Sequence, residues 1–154
     1  MKNLVLMAAA LIAVAGLQPS FAAEKKAAHS AHSACPSASE AEAEQAIRFM
    51  TDVMVVSSTC QDTIYAEFRL RNQEPIRAYQ KAMITHFHGN KAFDTWNTSL
   101  ANQYAAKRAG LPSGQVCQEA AELMKTAQTL DPTGFRSYAQ TQAKAAVQTA
   151  SCGK

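Results

Sequence analysis

The stretch SEAEAEQAIRFMTDVMVVSSTC, residues 39–60, decides the fold. It contains neither Gly nor Pro, opens on a serine suited to an N-cap, and carries three glutamates that complement the helix dipole. We therefore predict a helix that starts here. The β-branched run VMVVSSTC weakens helix propensity at the end, so we expect a bend or break at residues 60–62, giving one long helix or two. Its buried face follows steps of three or four residues, or their multiples: Ile47, Met50, Met54, Cys60, Ile64 and Phe68.

Gly and Pro divide the rest of the chain into further helical segments. Pro75 suits the first turn of the next helix, and the sequence HFHGN, residues 86–90, ends it. No alternating run bounded by turn residues indicates a strand. We therefore predict an all-α protein, an antiparallel helical bundle of five to six helices with short loops. The later helices are expected over residues 91–109, from about 113 to just before Pro132, and over 135–150.

The first residues have the features of an export signal. A short basic start precedes an apolar run from Leu4 to Leu17, and about 14 residues are too few to span a bilayer. Ser20 and Ala22 then supply the small residues that signal peptidase requires. We expect residues 1–22 to be a signal peptide, and the mature chain to be periplasmic or secreted with no transmembrane segment.

Residues 23–38 are rich in Ala, Ser and His and offer almost no large apolar side chain to bury. This composition predicts a flexible, disordered N-terminal arm in front of a single helical domain over residues 39–152. The chain has 15 basic and 12 acidic residues, and loss of Lys2 with the signal leaves 14 against 12. Such a balance argues against nucleic acid or an anionic membrane surface as the partner.

The four cysteines all follow the predicted cleavage site. An even number in an exported protein indicates two disulfides, and four cysteines allow three connectivities that spacing does not decide. Cys60 lies near a predicted helix end and Cys117 at a predicted helix start, so these two are placed to join packed helices. By elimination, Cys35 would then join Cys152 and tie the arm to the tail.

Histidines provide the weak candidates for a metal site. His29 and His32 stand three residues apart with Cys35, and His86 and His88 form a second pair at a helix end. Imidazole and thiolate suit zinc or copper. However, an oxidised Cys35 loses its thiolate, and a flexible arm fixes no geometry, so we predict no metal and no cofactor.

No catalytic motif is visible. The cysteines are too far apart for Cys-x-x-Cys-His haem attachment or thioredoxin-like chemistry, and neither a Gly-x-Ser-x-Gly nucleophile nor a Gly-rich phosphate loop occurs. A hidden active site would have to use Asp94, His86 and His88. We therefore predict that the protein is not an enzyme.

Positive charge concentrates in RLRNQEPIRAYQK, residues 69–81. Its basic side chains could form a partner-binding site, or a solvated face balanced by Glu67 and Glu74. The balance of charge favours the solvated face. The basic residues are Arg69, Arg71, Arg77 and Lys81.

Four blocks of the sequence resemble, in the same order, small exported alphaproteobacterial proteins of uncharacterised function. They are AIRFMTDVMVVSSTC, PIRAYQKAM, TSLANQYAAKR and VCQEAAEL, and they fall between residues 46 and 123. The resemblance implies a secreted or periplasmic helical domain with cysteines at the positions of Cys60 and Cys117, and it supports their pairing. It implies no catalytic residue.

These observations predict an exported, non-enzymatic, disulfide-stabilised helical protein that binds a protein or envelope partner in the periplasm. Two alternatives stay open. One is a periplasmic copper- or zinc-binding protein that uses the His-rich arm, and the other is a small periplasmic chaperone.

Overall fold

The computed structural model describes residues 36–149, apart from the side chains of the last three. The predicted signal peptide, most of the predicted arm, Cys35 and Cys152 lie outside the described residues. Within them the chain is all-helical, as predicted, but it forms seven helices and not five to six. The helices are α1 (Ala38–Cys60), α2 (Ile64–Arg71), α3 (Gln73–His86), α4 (Asn90–Lys107), α5 (Ser113–Glu119), α6 (Ala121–Thr129) and α7 (Pro132–Thr149).

Two breaks account for the number of helices. The first falls where the sequence predicted it, because Gln61 takes a left-handed conformation (φ 56°) and ends α1. The second was not predicted: Ala120 separates α5 from α6 in a stretch without Gly or Pro. Since α5 packs on α1 while α6 also packs on α2, the chain changes direction to reach a different neighbour.

The N-terminus of α1 is fixed by a capping box. Ser37, and not Ser39, is the N-cap: its hydroxyl accepts the backbone N–H of Glu40. The Glu40 carboxylate in turn accepts the backbone N–H of Ser37 at 2.8 Å. Ser37 and Glu40 thus form the Ser-x-x-Glu capping box, which explains why α1 is capped two residues before the predicted Ser39.

Helix α1 is the centre of the protein. It contacts each of the other six helices, and no residue between Glu40 and Ser57 is exposed. Its apolar side chains therefore find partners on every side, and Met54, predicted on the buried face, is only half-buried. Because α1 also carries acids and an arginine, its surroundings must supply partners for charge.

An aromatic cluster joins α1, α2 and α7 in the core. Phe68 and Phe135 are essentially fully buried and meet edge to face, with ring centroids 4.9 Å apart. Phe49 packs against Phe68 at 5.6 Å, and Tyr79 of α3 packs edge-on against Phe135 at 5.7 Å. Such contacts add to the free energy gained by burying the rings.

The expected disulfide between Cys60 and Cys117 is present and joins the end of α1 to α5. Its presence fits an oxidising compartment. None of the described helices combines the length and the apolar character that a membrane-spanning segment requires.

Candidate functional site

The strongest candidate surface is a groove between α2 and α3, which we call the basic groove. Its volume is about 440 Å³. Ile76 contributes an almost fully buried side chain, and Leu70 stands beside it with 69% of its surface exposed. The groove is lined by Ala66, Arg69, Leu70, Gln73, Ile76, Arg77 and Gln80.

The local sequence explains why Leu70 faces outward. Phe68 is the buried residue of α2 and enters the aromatic cluster. At 3.6 residues per turn, a side chain two positions later lies on the opposite side of the helix. Fixing Phe68 in the core therefore places Leu70 at the surface, and no other large apolar side chain among the described residues is as exposed.

Most arginines of the described region are engaged within the fold. Arg48 pairs with Glu44 at 2.6 Å, Arg108 pairs with Asp52 at 2.7 Å, and Arg136 pairs with Glu74. Each of these guanidinium groups therefore has a carboxylate neighbour in the same chain.

Arg71 is engaged in a different way. Its guanidinium donates to the backbone carbonyls of Ala127 at 2.8 Å, Gln128 at 3.0 Å and Leu130 at 2.9 Å. These carbonyls lie at the C-terminal end of α6, where helical carbonyls lack intrahelical partners. Arg71 is thus a helix cap that joins α2 to α6, although the sequence grouped it with the surface cations.

Arg69 and Arg77 differ from these four, because no ion pair involves either of them within residues 36–149. Arg69 lies over the ring of Tyr65, 5.6 Å from its centroid. Arg77 makes a long contact of 3.4 Å with the side-chain oxygen of Gln73. Both residues line the basic groove, and neither has a carboxylate at ion-pair distance in the part of the chain that the structure describes.

The acids expected to balance this charge are used elsewhere. Glu67 accepts a hydrogen bond from the Thr63 hydroxyl at 2.6 Å, on its own helix. Glu74 pairs with Arg136 of α7. Neither carboxylate is among the residues that line the groove. The sequence therefore located the basic stretch correctly, but tertiary pairing decides which cations stay available.

The histidines do not assemble a metal centre in the described part of the chain. His86 Nδ1 lies 3.0 Å from a carboxylate oxygen of Glu40, so it joins α3 to the start of α1. His88 follows the end of α3 in a left-handed conformation, φ 57°. No cluster of three His, Cys, Asp or Glu side chains suited to a metal occurs among the residues described. His29 and His32 lie outside them.

The candidates for a hidden active site are also separate. Asp94 is exposed on α4 and lines a shallow depression with Lys91 and neighbouring polar residues. Neither His86 nor His88 lines this depression. The depression therefore does not bring Asp94 together with His86 and His88.

A second concavity, missed by the sequence reasoning, lies between α1, α4 and α5. We call it the charged pocket; its volume is about 340 Å³. Burial and the charge of Asp52 raise the pKa of the Tyr104 hydroxyl, and the same two causes raise that of nearby Tyr138. An aspartate within the apolar run FMTDVMVV is the one signal that could have indicated it. The lining residues are Asp52, Tyr104, Lys107, Arg108, Val116, Glu119 and Ala120.

Comparison with known proteins brings no further assignment. No protein-family model, no curated protein sequence and no solved structure matches the chain significantly. Membership of the alphaproteobacterial exported group stays a prediction.

Proposed function

We propose that this chain is an exported, non-enzymatic binding protein whose basic groove holds an acidic segment of a partner protein. One observation carries the proposal: Arg69 and Arg77 line the groove without a carboxylate partner, and the exposed Leu70 stands with them. Arginine forms bidentate hydrogen bonds with carboxylates and is enriched at protein interfaces. The groove therefore presents the two kinds of contact that a binding site combines.

The chemistry of the groove defines the partner segment. Two guanidinium groups favour a segment with at least one Asp or Glu. Leu70 and Ile76 favour an apolar side chain next to that acid, because its burial removes exposed hydrocarbon from water. A groove of about 440 Å³ has room for one or two such side chains and not for a whole domain face.

A protein segment fits this surface better than an anionic membrane does. Recognition of anionic lipid by a basic cluster generally involves four to eight Lys or Arg. The groove is lined by only two basic side chains, Arg69 and Arg77, which is fewer than such recognition uses. We therefore propose that the basic groove binds a protein segment and not an anionic membrane.

Features outside the basic groove bear on the location of the protein and on the chaperone and metal-binding alternatives. The disulfide and the signal-like N-terminus together favour a periplasmic or secreted protein. A chaperone would present a broad apolar surface, whereas the large exposed apolar side chains of the described residues are Leu70 and Leu111. The copper- or zinc-binding alternative depends on His29 and His32 and stays a prediction.

Fluorescence anisotropy of the oxidised full chain tests the proposal. The probe is a short labelled peptide with leucine and isoleucine among glutamates, compared with the same peptide in which glutamine replaces glutamate. We expect the acidic peptide to bind and the R69Q/R77Q variant to weaken it by at least about tenfold. Leu70→Ser should weaken the binding of the acidic peptide and any residual binding of the glutamine peptide.

A matched control variant removes two positive charges at positions outside the basic groove. Lys125 and Lys144 are exposed on α6 and α7, so K125Q/K144Q has the same net charge as R69Q/R77Q. Equal affinity of the two double variants for the peptide would overturn the proposal. So would preferential binding to vesicles containing phosphatidylglycerol, with no peptide binding, because that result would assign the groove to a membrane.

Site-specific photo-crosslinking from position 70 then connects the groove to a cellular partner. We expect the cross-linked segment to contain Asp or Glu beside an apolar residue, and the yield to fall in R69Q/R77Q. Gln103, exposed on α4, provides the control position. Cross-links from position 70 that map only to segments without acids would contradict the proposed chemistry.

A further inference from the structure

The charged pocket has a rigid wall. Val116 of α5 lines it, and the neighbouring Cys117 is joined through the disulfide to Cys60 at the end of α1. Val116 and Ala120 are buried and give the pocket an apolar floor. The opposite wall is the last part of α4, where Tyr104 is half-buried. The bridge therefore fixes α5, which carries Val116, to the end of α1.

Charges of both signs surround this floor. Asp52 and Arg108 neutralise each other at 2.7 Å, with about one fifth of each side chain exposed (21% for both). Lys107 and Glu119 are not neutralised in this way. The Lys107 ammonium lies 5.0 Å from the centre of the Tyr104 ring, and the Glu119 carboxylate accepts the side-chain amide of Gln115 at 2.8 Å. No ion pair involves either residue within the described part of the chain.

We propose that the charged pocket binds a small zwitterion with one ammonium and one carboxylate, such as a free α-amino acid. Lys107 pairs with the carboxylate of the ligand, and Glu119 pairs with its ammonium. Val116 and Ala120 contact a small apolar side chain. The Asp52–Arg108 pair also lines the pocket and presents no net charge, so neither a simple anion nor a simple cation is favoured there.

The size of the pocket supports a ligand of this class. A volume of about 340 Å³ lies at the lower end of the range for small-molecule sites. A free amino acid fits within this volume. This site lies between α1, α4 and α5 and shares no lining residue with the basic groove on α2 and α3, so the inference does not depend on the proposed function.

Titration of the oxidised full chain, labelled with ¹⁵N, tests the inference by the chemical shifts of its amides. The probes are L-alanine, L-alaninamide, which lacks the carboxylate, and N-acetyl-L-alanine, which lacks the ammonium. We expect L-alanine to shift amides near Lys107 and Glu119 with a dissociation constant of about 1 mM or lower. Each blocked analogue should bind at least about tenfold more weakly.

Two variants test which side chain binds each charged group of the ligand. Lys107→Met should abolish the preference for L-alanine over L-alaninamide, and Glu119→Gln should abolish its preference over N-acetyl-L-alanine. Both side chains are exposed, so the fold should tolerate the changes, and circular dichroism checks this. Lys144→Met and Glu122→Gln, at exposed positions on α7 and α6, are the matched controls and should leave binding unchanged.

Three results would overturn the inference. They are the absence of saturable shifts up to about 10 mM L-alanine, equal binding of the blocked analogues, and equal losses in the control variants. The variants R69Q and R77Q should not alter alanine binding. Failure of the zwitterion test and failure of the groove test are therefore distinguishable.

Discussion

Arg69 and Arg71 stand two residues apart on the same short helix and have different roles. The difference follows from the helix geometry, because two positions correspond to more than half a turn. Arg71 faces the end of α6 and donates to three carbonyls there. Arg69 lines the basic groove and lies over the ring of Tyr65. Arg71 therefore stabilises the fold, whereas Arg69 makes no ion pair among the described residues.

Replacing Arg71 should therefore cost stability, and replacing Arg69 should not. We expect Arg71→Lys to lower the free energy of unfolding by about 1 kcal/mol, because an ammonium cannot donate to three carbonyls in the fork geometry of a guanidinium. Urea unfolding followed by circular dichroism measures this change. Arg69→Lys is the control and should stay within about 0.5 kcal/mol of the parent. Equal losses at both positions would show that Arg71 is not a cap.

Glu40 makes stability depend on pH. Hydrogen bonds from the side chain and backbone of Ser37, helped by His86, lower the pKa of the Glu40 carboxyl from 4.5 to about 2. The folded pKa lies below the unfolded one, so the stabilisation is present above about pH 4.5 and is lost as the pH falls to about 2. The capping box of α1 and its contact with α3 therefore weaken together in acid.

Glu40→Gln should remove this dependence. We expect the variant to melt below the parent at neutral pH, and the difference in Tm to shrink as the pH falls from about 4.5 towards 2. Thermal melts at a series of pH values measure it. Glu122→Gln, at an exposed position on α6, should show no comparable convergence. A Tm difference that stays constant across this range would contradict the assigned role of Glu40.

At the scale of elements, short sequence patterns predicted the helix boundaries that depend on local backbone preferences. Pro75 lies in the first turn of α3, and α1 ends at Gln61, both as the sequence indicated. The break at Ala120 has no local signal, because it arises from the different packing partners of α5 and α6. The start of α7 at Pro132 is likewise three residues earlier than predicted, since proline tolerates the first helical position.

The candidate sites were predictable only in part, for the same reason. The sequence shows a basic stretch from Arg69 to Lys81, but it does not show that Arg71 caps α6 or that Glu74 pairs with Arg136. These contacts join residues about 60 positions apart, as the separation of 62 between Arg136 and Glu74 illustrates. The charged pocket needs three helices to converge, which no local spacing encodes.

The end of α1 provides a prediction at this scale. Gln61 adopts φ 56°, which costs an L-residue free energy that glycine does not lose. Its side chain is exposed. We expect Gln61→Gly to raise the free energy of unfolding by about 1 kcal/mol, measured by urea denaturation.

Gln142→Gly is the control for that measurement, because we expect it to change the stability in the opposite direction. Gln142 is exposed within α7, where glycine should lower stability by about 1 kcal/mol relative to a good helix former. The two substitutions make the same chemical change in exposed glutamines and should differ in sign. The same sign at both positions would mean that the left-handed residue does not limit the stability of this turn.

At the scale of the molecule, α1 organises everything else. It contacts each of the other helices, and three of its acids are matched by side chains from other parts of the chain. Asp52 pairs with Arg108, which directly follows α4, Glu42 accepts a hydrogen bond from the Tyr79 hydroxyl of α3 at 2.6 Å, and Glu40 contacts His86. A partly buried charge without a partner is costly, so these pairs make the arrangement of helices around α1 specific.

The Cys60–Cys117 bridge closes this arrangement, and removing it is the test of the whole molecule. The two cysteines are 57 positions apart, and in the chain-entropy model a loop of that length gives about 4 kcal/mol of stabilisation through the unfolded state. We therefore expect C60A/C117A to lose about this much free energy of unfolding in urea. Substitution is preferred to reduction because it leaves Cys35 and Cys152 unchanged.

The bridge also links stability to the two proposed sites in different ways. Because Cys117 adjoins the wall of the charged pocket, C60A/C117A should bind L-alanine more weakly even under conditions in which it is folded. The basic groove lies on α2 and α3, so peptide binding in the same variant should be retained. An unchanged Tm in C60A/C117A would refute the bridge as a structural staple. Equal loss of both binding activities would show that the bridge supports the fold as a whole and not the pocket in particular.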